Sequence, residues 1–103
     1  MDAERIKMLA EDVEKTIELY EEYLNNYASI TRSLINRKGV LKALEDLMTS
    51  ADYQQGFRVL HEHNQLDKSF ESLVLKYKED FSYAAVECAK FRLDNPEALR
   101  NLK

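Results

Sequence analysis

The longest hydrophobic pattern of the chain lies in its first third, where apolar side chains recur at alternating intervals of four and three residues. The residues on this pattern are Ile6, Ala10, Val13, Ile17, Tyr20, Leu24, Tyr27, Thr31 and Leu34. They match the a and d positions of a heptad, and the residues at the neighbouring g positions are Leu9, Thr16, Tyr23 and Ile30. Neither proline nor glycine interrupts residues 2–37, and Gly39 follows as a helix-ending residue. The pattern predicts one long amphipathic helix over about residues 2–37.

A second long pattern covers the last third of the chain. Its apolar positions are Leu66, Phe70, Leu73, Tyr77, Phe81, Ala84, Cys88 and Phe91. Asp67 is the expected N-cap. The additional interval of four between Tyr77 and Phe81 is a stutter, which favours a globular bundle over a long coiled coil. We expect a second long helix over about residues 67–94, followed by a short terminal turn that begins at Asn95 and Pro96.

The middle of the chain predicts two short helices. The first runs from about Val40 to Met48. The second turns Tyr53, Phe57 and Leu60 inward, stops near Asn64 and is capped by side-chain oxygens within residues 49–52. With the terminal turn, the chain therefore has two or three short helices beside the two long ones.

Composition agrees with an all-α fold. Only two glycines and one proline occur among 103 residues, whereas β-rich folds need turn residues at short intervals. The length suits one domain over residues 1–103. A helix of about 36 residues spans roughly 54 Å, although a compact chain of this size has a radius of gyration of about 13 Å. We therefore expect an elongated helical bundle with two long antiparallel helices, and we expect the chain to dimerise or to bind a partner.

The net charge of −4 argues against general affinity for nucleic acid or for an anionic membrane, because both depend on excess basic charge. A basic or neutral protein suits this acidic chain better.

The N-terminal residues lack the pattern of a secretory signal, and no apolar run has the length of a membrane span. The single cysteine, Cys88, agrees with a reducing compartment. These features predict a cytoplasmic protein.

Candidate catalytic and metal-binding residues are few. His61 and His63 flank Glu62, but side chains two residues apart on a helix point in nearly opposite directions and cannot grip one zinc ion. The Glu-x-x-His motif of di-metal bundles does not occur. Cys88 lies on the apolar stripe, where a thiol stays protonated. We expect no metal, no cofactor and no enzymatic activity.

Tyrosine and leucine side chains cluster near the middle of the first predicted helix. The candidate protein interface consists of Tyr20, Tyr23, Leu24, Tyr27 and Ile30. Tyrosine is amphipathic and common in interfaces, yet the same residues could form a bundle core whose hydroxyls reach its rim. The leading hypothesis is a non-enzymatic interaction module, such as an adaptor, a regulator, an immunity-type inhibitor or an assembly chaperone.

The alternative hypothesis is a small nucleic-acid-binding regulator. It depends on a local group of cations around the first predicted turn: Arg32, Arg37, Lys38, Lys42 and Arg58. A few cations in an acidic chain more often interact with helix C-termini than with phosphates. Nucleic-acid binding therefore ranks second.

Overall fold

The computed structural model describes residues 2–50 and 55–98, and every regular element in these two ranges is helical. The α-helices are α1 (Ala3–Leu24), α2 (Ser29–Lys38), α3 (Val40–Thr49), α4 (Gln55–Glu62), α5 (Phe70–Lys76) and α6 (Tyr83–Asp94). Two single turns of 3-10 helix, Leu66–Lys68 and Lys78–Asp80, precede and follow α5. The all-α class predicted from the sequence is confirmed.

The first predicted helix is interrupted. Asp2 caps α1 by accepting a hydrogen bond from the amide of Arg5 at 2.9 Å. The helix ends where Asn25 adopts a left-handed conformation, with φ 52° and ψ 45°, which asparagine tolerates better than most residues. The continuous helix predicted over residues 2–37 is therefore wrong, since α1 ends at Leu24 and α2 begins at Ser29.

The second predicted long helix is also divided. Ser69, two residues after the expected cap Asp67, is the N-cap of α5 and accepts a hydrogen bond from the amide of Ser72 at 3.2 Å. Helix α5 ends at Lys76, and α6 starts after Ser82, whose hydroxyl accepts from the amide of Ala85 at 3.0 Å. The stutter in the hydrophobic pattern lies at this interruption.

These two breaks make the described part of the chain a compact globule with six α-helices. Its Cα radius of gyration is 12.9 Å and its principal extents are 39, 31 and 22 Å. The expected elongated bundle with two long antiparallel helices is not found. The length mismatch that motivated the expected dimer disappears with the long helix, and dimerisation itself stays a prediction.

The core lies between α1, α3, α4, α5 and α6. Its most buried large side chains include Leu9, Ile17, Leu44, Met48, Phe57, Leu60, Phe70 and Val74. Helix α3 closely matches its predicted range, and α4 turns Phe57 and Leu60 inward and is followed by Asn64, as expected. Tyr53 and the capping residues 51 and 52 lie outside the described residues.

Helix α6 presents to solvent the face that the sequence pattern placed in the core. Its buried positions are Ala85, Val86, Ala89 and Arg92. Ala84 and Phe91 are exposed and Cys88 is half-buried. The break before Ser82 changes the helical phase, so the pattern read through from α5 selects the wrong side of α6.

Gly56 marks the closest approach of α4 to α1. A Cβ atom added at this position would lie 2.6 Å from two ring carbons of Tyr20. The Tyr20 ring also meets the edge of Phe70, with ring centroids 5.1 Å apart. The lack of a side chain at Gly56 therefore allows α4 to pack on α1.

Candidate functional site

Helix α2 packs mainly against α3. None of its residues is buried, whereas each of the other five α-helices in the described ranges has buried residues. Tyr27, just before it, is 68% exposed, and Ile30 in its first turn is 86% exposed. A single exposed apolar side chain is normal on a protein surface. Exposed apolar side chains that lie together beside a groove often mark an interaction site. We call Tyr27, Ile30 and the adjacent groove the α2 patch.

The groove beside these two residues has a volume of about 280 Å³. It is bounded by the end of α1, the start of α2, the start of α4 and one residue of α5. Apolar surface comes from Tyr20, Leu24 and Phe70, and polar groups are contributed by Asn26, Thr31 and Gln55. The lining is therefore mixed, with somewhat more apolar than polar surface, as is common at protein interfaces.

Arg32 fixes the position of α2 relative to α1. Its guanidinium donates two hydrogen bonds to the carboxylate of Glu21 and two to that of Glu14, each at 2.9 Å. Glu21 also accepts from the amide of Ala28 at 2.8 Å, just before α2 begins. The guanidinium carbon lies 5.3 Å from the centre of the Tyr27 ring. These ion pairs hold the connection between α1 and α2 in place, and the ring of Tyr27 lies beside the same guanidinium.

The Arg32 contacts determine the protonation of Glu21. Hydrogen bonds from Arg32 and from the amide of Ala28 lower the pKa of Glu21 to about 2. The two carboxylates in turn raise the pKa of Arg32 above its ordinary value. Glu21 and Arg32 therefore both stay charged near neutral pH, which keeps their ion pair intact.

The five predicted interface residues do not share one environment. Tyr20 is buried, and its hydroxyl accepts a long hydrogen bond of 3.5 Å from the amide of Phe70. Tyr23 is half-buried, stacks on His63 with ring centroids 3.8 Å apart and accepts from the side chain of Gln65 at 2.6 Å. Leu24 is half-buried against the core. Only Tyr27 and Ile30 of the predicted set are fully exposed.

The predicted basic residues are mostly engaged by carboxylates. Arg32 is bound as described, and Lys38 and Lys42 both pair with Asp46, at 2.6 and 3.2 Å. Arg58 is half-buried, and its Nε atom has no hydrogen-bond partner within the described residues. Arg37 is exposed and forms no ion pair within the described residues. Three of the five predicted basic residues are therefore paired with carboxylates, and Arg37 and Arg58 are not paired within the described residues.

The outer face of α1 carries four exposed carboxylates, and the exposed Lys15 lies among them. Glu4, Glu11, Glu18 and Glu22 are exposed, and none of them forms an ion pair within residues 2–50 and 55–98. Glu18 and Glu22 lie in the last two turns of α1, shortly before Tyr27. These two carboxylates are close to Tyr27 in sequence, but on the helix they point away from Tyr20 and Leu24, which line the groove.

The other candidate residues do not form a reactive cluster. The Nε2 atom of His61 lies 3.6 Å from a carboxylate oxygen of Glu97, whereas His63 contacts the backbone carbonyl of Val59 through Nδ1 at 2.9 Å. Cys88 lies on α6, away from both histidines in sequence. Across the described ranges, no three His, Cys, Asp or Glu side chains are grouped to hold a metal ion.

Two features of this site were not predicted from the sequence. The pairing of Arg32 with Glu14 and Glu21 depends on the chain reversal at residues 25–28, which the unbroken hydrophobic pattern concealed. The groove likewise requires α4 to pack beside the end of α1. The only local signal was the pair Asn25 and Asn26, since asparagine is common in turns and left-handed conformations.

Comparison of the chain with protein-family models, with curated proteins and with solved structures finds no match. Among the helices in the described ranges, none combines the length and the apolar character that crossing a membrane requires.

Proposed function

We propose that this chain is a non-enzymatic protein-interaction module that binds a basic, partly apolar protein segment at the α2 patch. Exposure of Tyr27 and Ile30 beside an apolar groove is the observation that carries this proposal. Adaptors, regulators, immunity-type inhibitors and assembly chaperones all act by such binding. The expected cytoplasmic location remains part of the same hypothesis.

The chemistry of the partner follows from the lining of the groove and from the net charge of the chain. An apolar side chain of the partner would enter the groove over Leu24 and Phe70 and would contact Ile30. Cations on the partner would be attracted by the net charge of −4 of the chain and by the exposed carboxylates of α1. Opposite charges would favour rapid association, while the apolar contacts would supply most of the affinity.

Nucleic-acid binding receives less support from the same geometry. Phosphate binding needs available cations, and Arg32, Lys38 and Lys42 already contact carboxylates. Self-association through the α2 patch would also bury Ile30, but it would bring two chains of net charge −4 together. A different protein of basic character is therefore the occupant that we propose.

The test is affinity capture from the native host with three versions of the tagged chain. We expect mass spectrometry to identify a basic protein that wild type retains and that Ile30→Asp loses, because an aspartate cannot enter an apolar contact without a large desolvation cost. Tyr83→Asp is the matched control, since Tyr83 is an equally exposed side chain on α6. Circular dichroism establishes that each variant is folded.

The captured protein must then bind directly when both components are purified. Equal retention by wild type and Ile30→Asp would contradict the proposal, as would loss of the protein from both variants alike. A wild-type chain that retains no protein and instead forms a dimer sensitive to Ile30→Asp would assign the patch to a second copy.

A further inference from the structure

A second and larger groove lies between α1 and the segment that leads into α5. Its volume is about 480 Å³, which is within the usual range for small-molecule sites. Lysine side chains line it from three directions: Lys15 from α1, Lys68 from the 3-10 turn and Lys76 from the end of α5. We call this cavity the lysine groove. It shares no lining residue with the α2 patch.

The charges around the lysine groove favour an anion. Lys15 and Lys68 are exposed and form no ion pair within the described residues. Lys76 donates to Asp12 at 2.9 Å, and Asp12 also accepts from the hydroxyl of Tyr77 at 2.8 Å. Burial raises the pKa of Asp12, but the hydrogen bonds from Lys76 and Tyr77, together with the charges of Lys76 and Lys15, outweigh it and lower the pKa of the carboxyl group.

The remaining acid on the groove is Asp67, which is exposed. Three ammonium groups therefore face two carboxylates, and the carboxylate of Asp12 is already bound twice. The lining residues thus carry one excess positive charge, and the exposed Glu11 and Glu18 lie one turn before and after Lys15 on α1. A lone inorganic anion would gain little from such exposed lysines, because exposed ion pairs contribute weakly in water.

The interior of the lysine groove suits an apolar body. Leu19 and Leu73 line it with methyl groups. The hydroxyl of Thr16 donates to the carbonyl of Lys68 at 2.8 Å, and that of Ser72 donates to the carbonyl of Leu66 at 2.6 Å. The hydroxyl groups of Thr16 and Ser72 thus donate their protons within the protein, so these two residues offer a ligand mainly van der Waals contact.

We propose that the lysine groove binds a small amphipathic anion, namely a carboxylate with an apolar body. Its aliphatic or aromatic part lies on Leu19 and Leu73, and its carboxylate lies between Lys15 and Lys68. The two interactions reinforce each other, because the apolar body places the anion beside lysines that alone would hold it weakly. This site extends the function of the chain beyond protein binding, and it does not depend on the α2 patch.

The test uses octanoate as the probe and two-dimensional amide NMR of the full chain as the readout. We expect saturable shifts at Thr16, Leu19 and Leu73. Acetate supplies the carboxylate without the apolar body, and octanol supplies the apolar body without the charge. Each should bind at least about tenfold more weakly than octanoate.

Charge reversal separates the groove from general electrostatics. Lys15→Glu/Lys68→Glu should weaken octanoate binding by about tenfold or more. Lys7→Glu/Lys78→Glu produces the same change in net charge at two exposed lysines outside the groove and should keep the affinity within about twofold of wild type. The spectra themselves report whether each variant is folded. No saturable shift, equal binding of octanol, or equal loss in both double variants would overturn the proposal.

Discussion

The guanidinium of Arg92 donates a hydrogen bond of 3.0 Å to the carboxylate of Glu71, and both side chains are almost completely buried, at 3% and 1% exposure. Arg92 also donates to the backbone carbonyls of Met48 and Ser50, at 3.0 and 2.7 Å. One side chain of α6 thereby binds α5 and the C-terminal end of α3. Burial raises the pKa of Glu71, whereas the hydrogen bond from Arg92 opposes that rise.

Removal of Arg92 alone should be strongly destabilising. In Arg92→Leu, Glu71 stays buried without its partner and two carbonyls lose a donor, so we expect the free energy of unfolding to fall by about 3–5 kcal/mol. The double variant Arg92→Leu/Glu71→Leu should recover much of this loss, because no unpaired carboxylate remains. Urea unfolding of the wild type and the three variants, including Glu71→Leu, measures the coupling. A single Arg92→Leu variant as stable as the wild type would show that the pair is not needed.

Gly56→Ala should destabilise the protein even though the position is helical. Alanine in place of glycine within a helix ordinarily adds about 0.5–1 kcal/mol of stability. Here the new methyl group would overlap the ring of Tyr20, and we expect a net loss of about 1–3 kcal/mol from overpacking. Thermal unfolding measures the sign. In a Tyr20→Leu background the same substitution should become neutral or stabilising, and a loss of equal size there would rule out the ring contact as its cause.

The orientation of α6 can be tested with two identical truncations. Phe91 is 56% exposed on the outer face, while Phe57 in α4 is fully buried. Phe57→Ala should cost about 3–5 kcal/mol, and Phe91→Ala less than about 1 kcal/mol. Urea unfolding of both variants decides between the structure and the unbroken stripe inferred from the sequence. A large loss for Phe91→Ala would place that ring in the core after all.

Hydrophobic periodicity predicted the helical class but not the ends of the long helices. Tyr27, Thr31 and Leu34 continue the heptad spacing of α1, so the pattern contains no gap at Asn25. The helix ends there because Asn25 turns into the left-handed region, and Arg32 then pairs with α1. Such tertiary contacts are not encoded in the spacing of apolar residues along the chain.

The break between α5 and α6 is visible in the hydrophobic pattern of the sequence. The stutter between Tyr77 and Phe81 lies at the end of α5, and Ser82 is a favourable N-cap for α6. Tyr27 and Ile30 of the candidate interface are exposed beside one groove, but the spacing of apolar residues could not separate them from the buried Tyr20. That separation depends on the path of α4, where Gly56 meets the Tyr20 ring.

Stability should depend on pH through Glu21. Its pKa falls from 4.5 to about 2 in the folded protein, so its ionised form contributes stability above the unfolded value, and that contribution disappears as the pH falls towards 2. Glu21→Gln should therefore be less stable than wild type near neutral pH, and the difference should shrink by about pH 2.5. Urea unfolding at both pH values measures this. Glu22→Gln, at an exposed neighbour without an ion pair in the described residues, is the control, and a pH-independent difference for Glu21→Gln would contradict the assignment.

The most direct test of protein binding at the α2 patch is calorimetric titration of the purified partner into wild type, Ile30→Asp and Tyr83→Asp. Ile30 is the most exposed large apolar residue of the patch, and loss of a central contact worth about 2 kcal/mol corresponds to an affinity roughly 30-fold weaker. We predict at least that loss for Ile30→Asp and a change within about twofold for Tyr83→Asp. Unchanged affinity of Ile30→Asp, or an equal loss for Tyr83→Asp, would contradict binding at this patch.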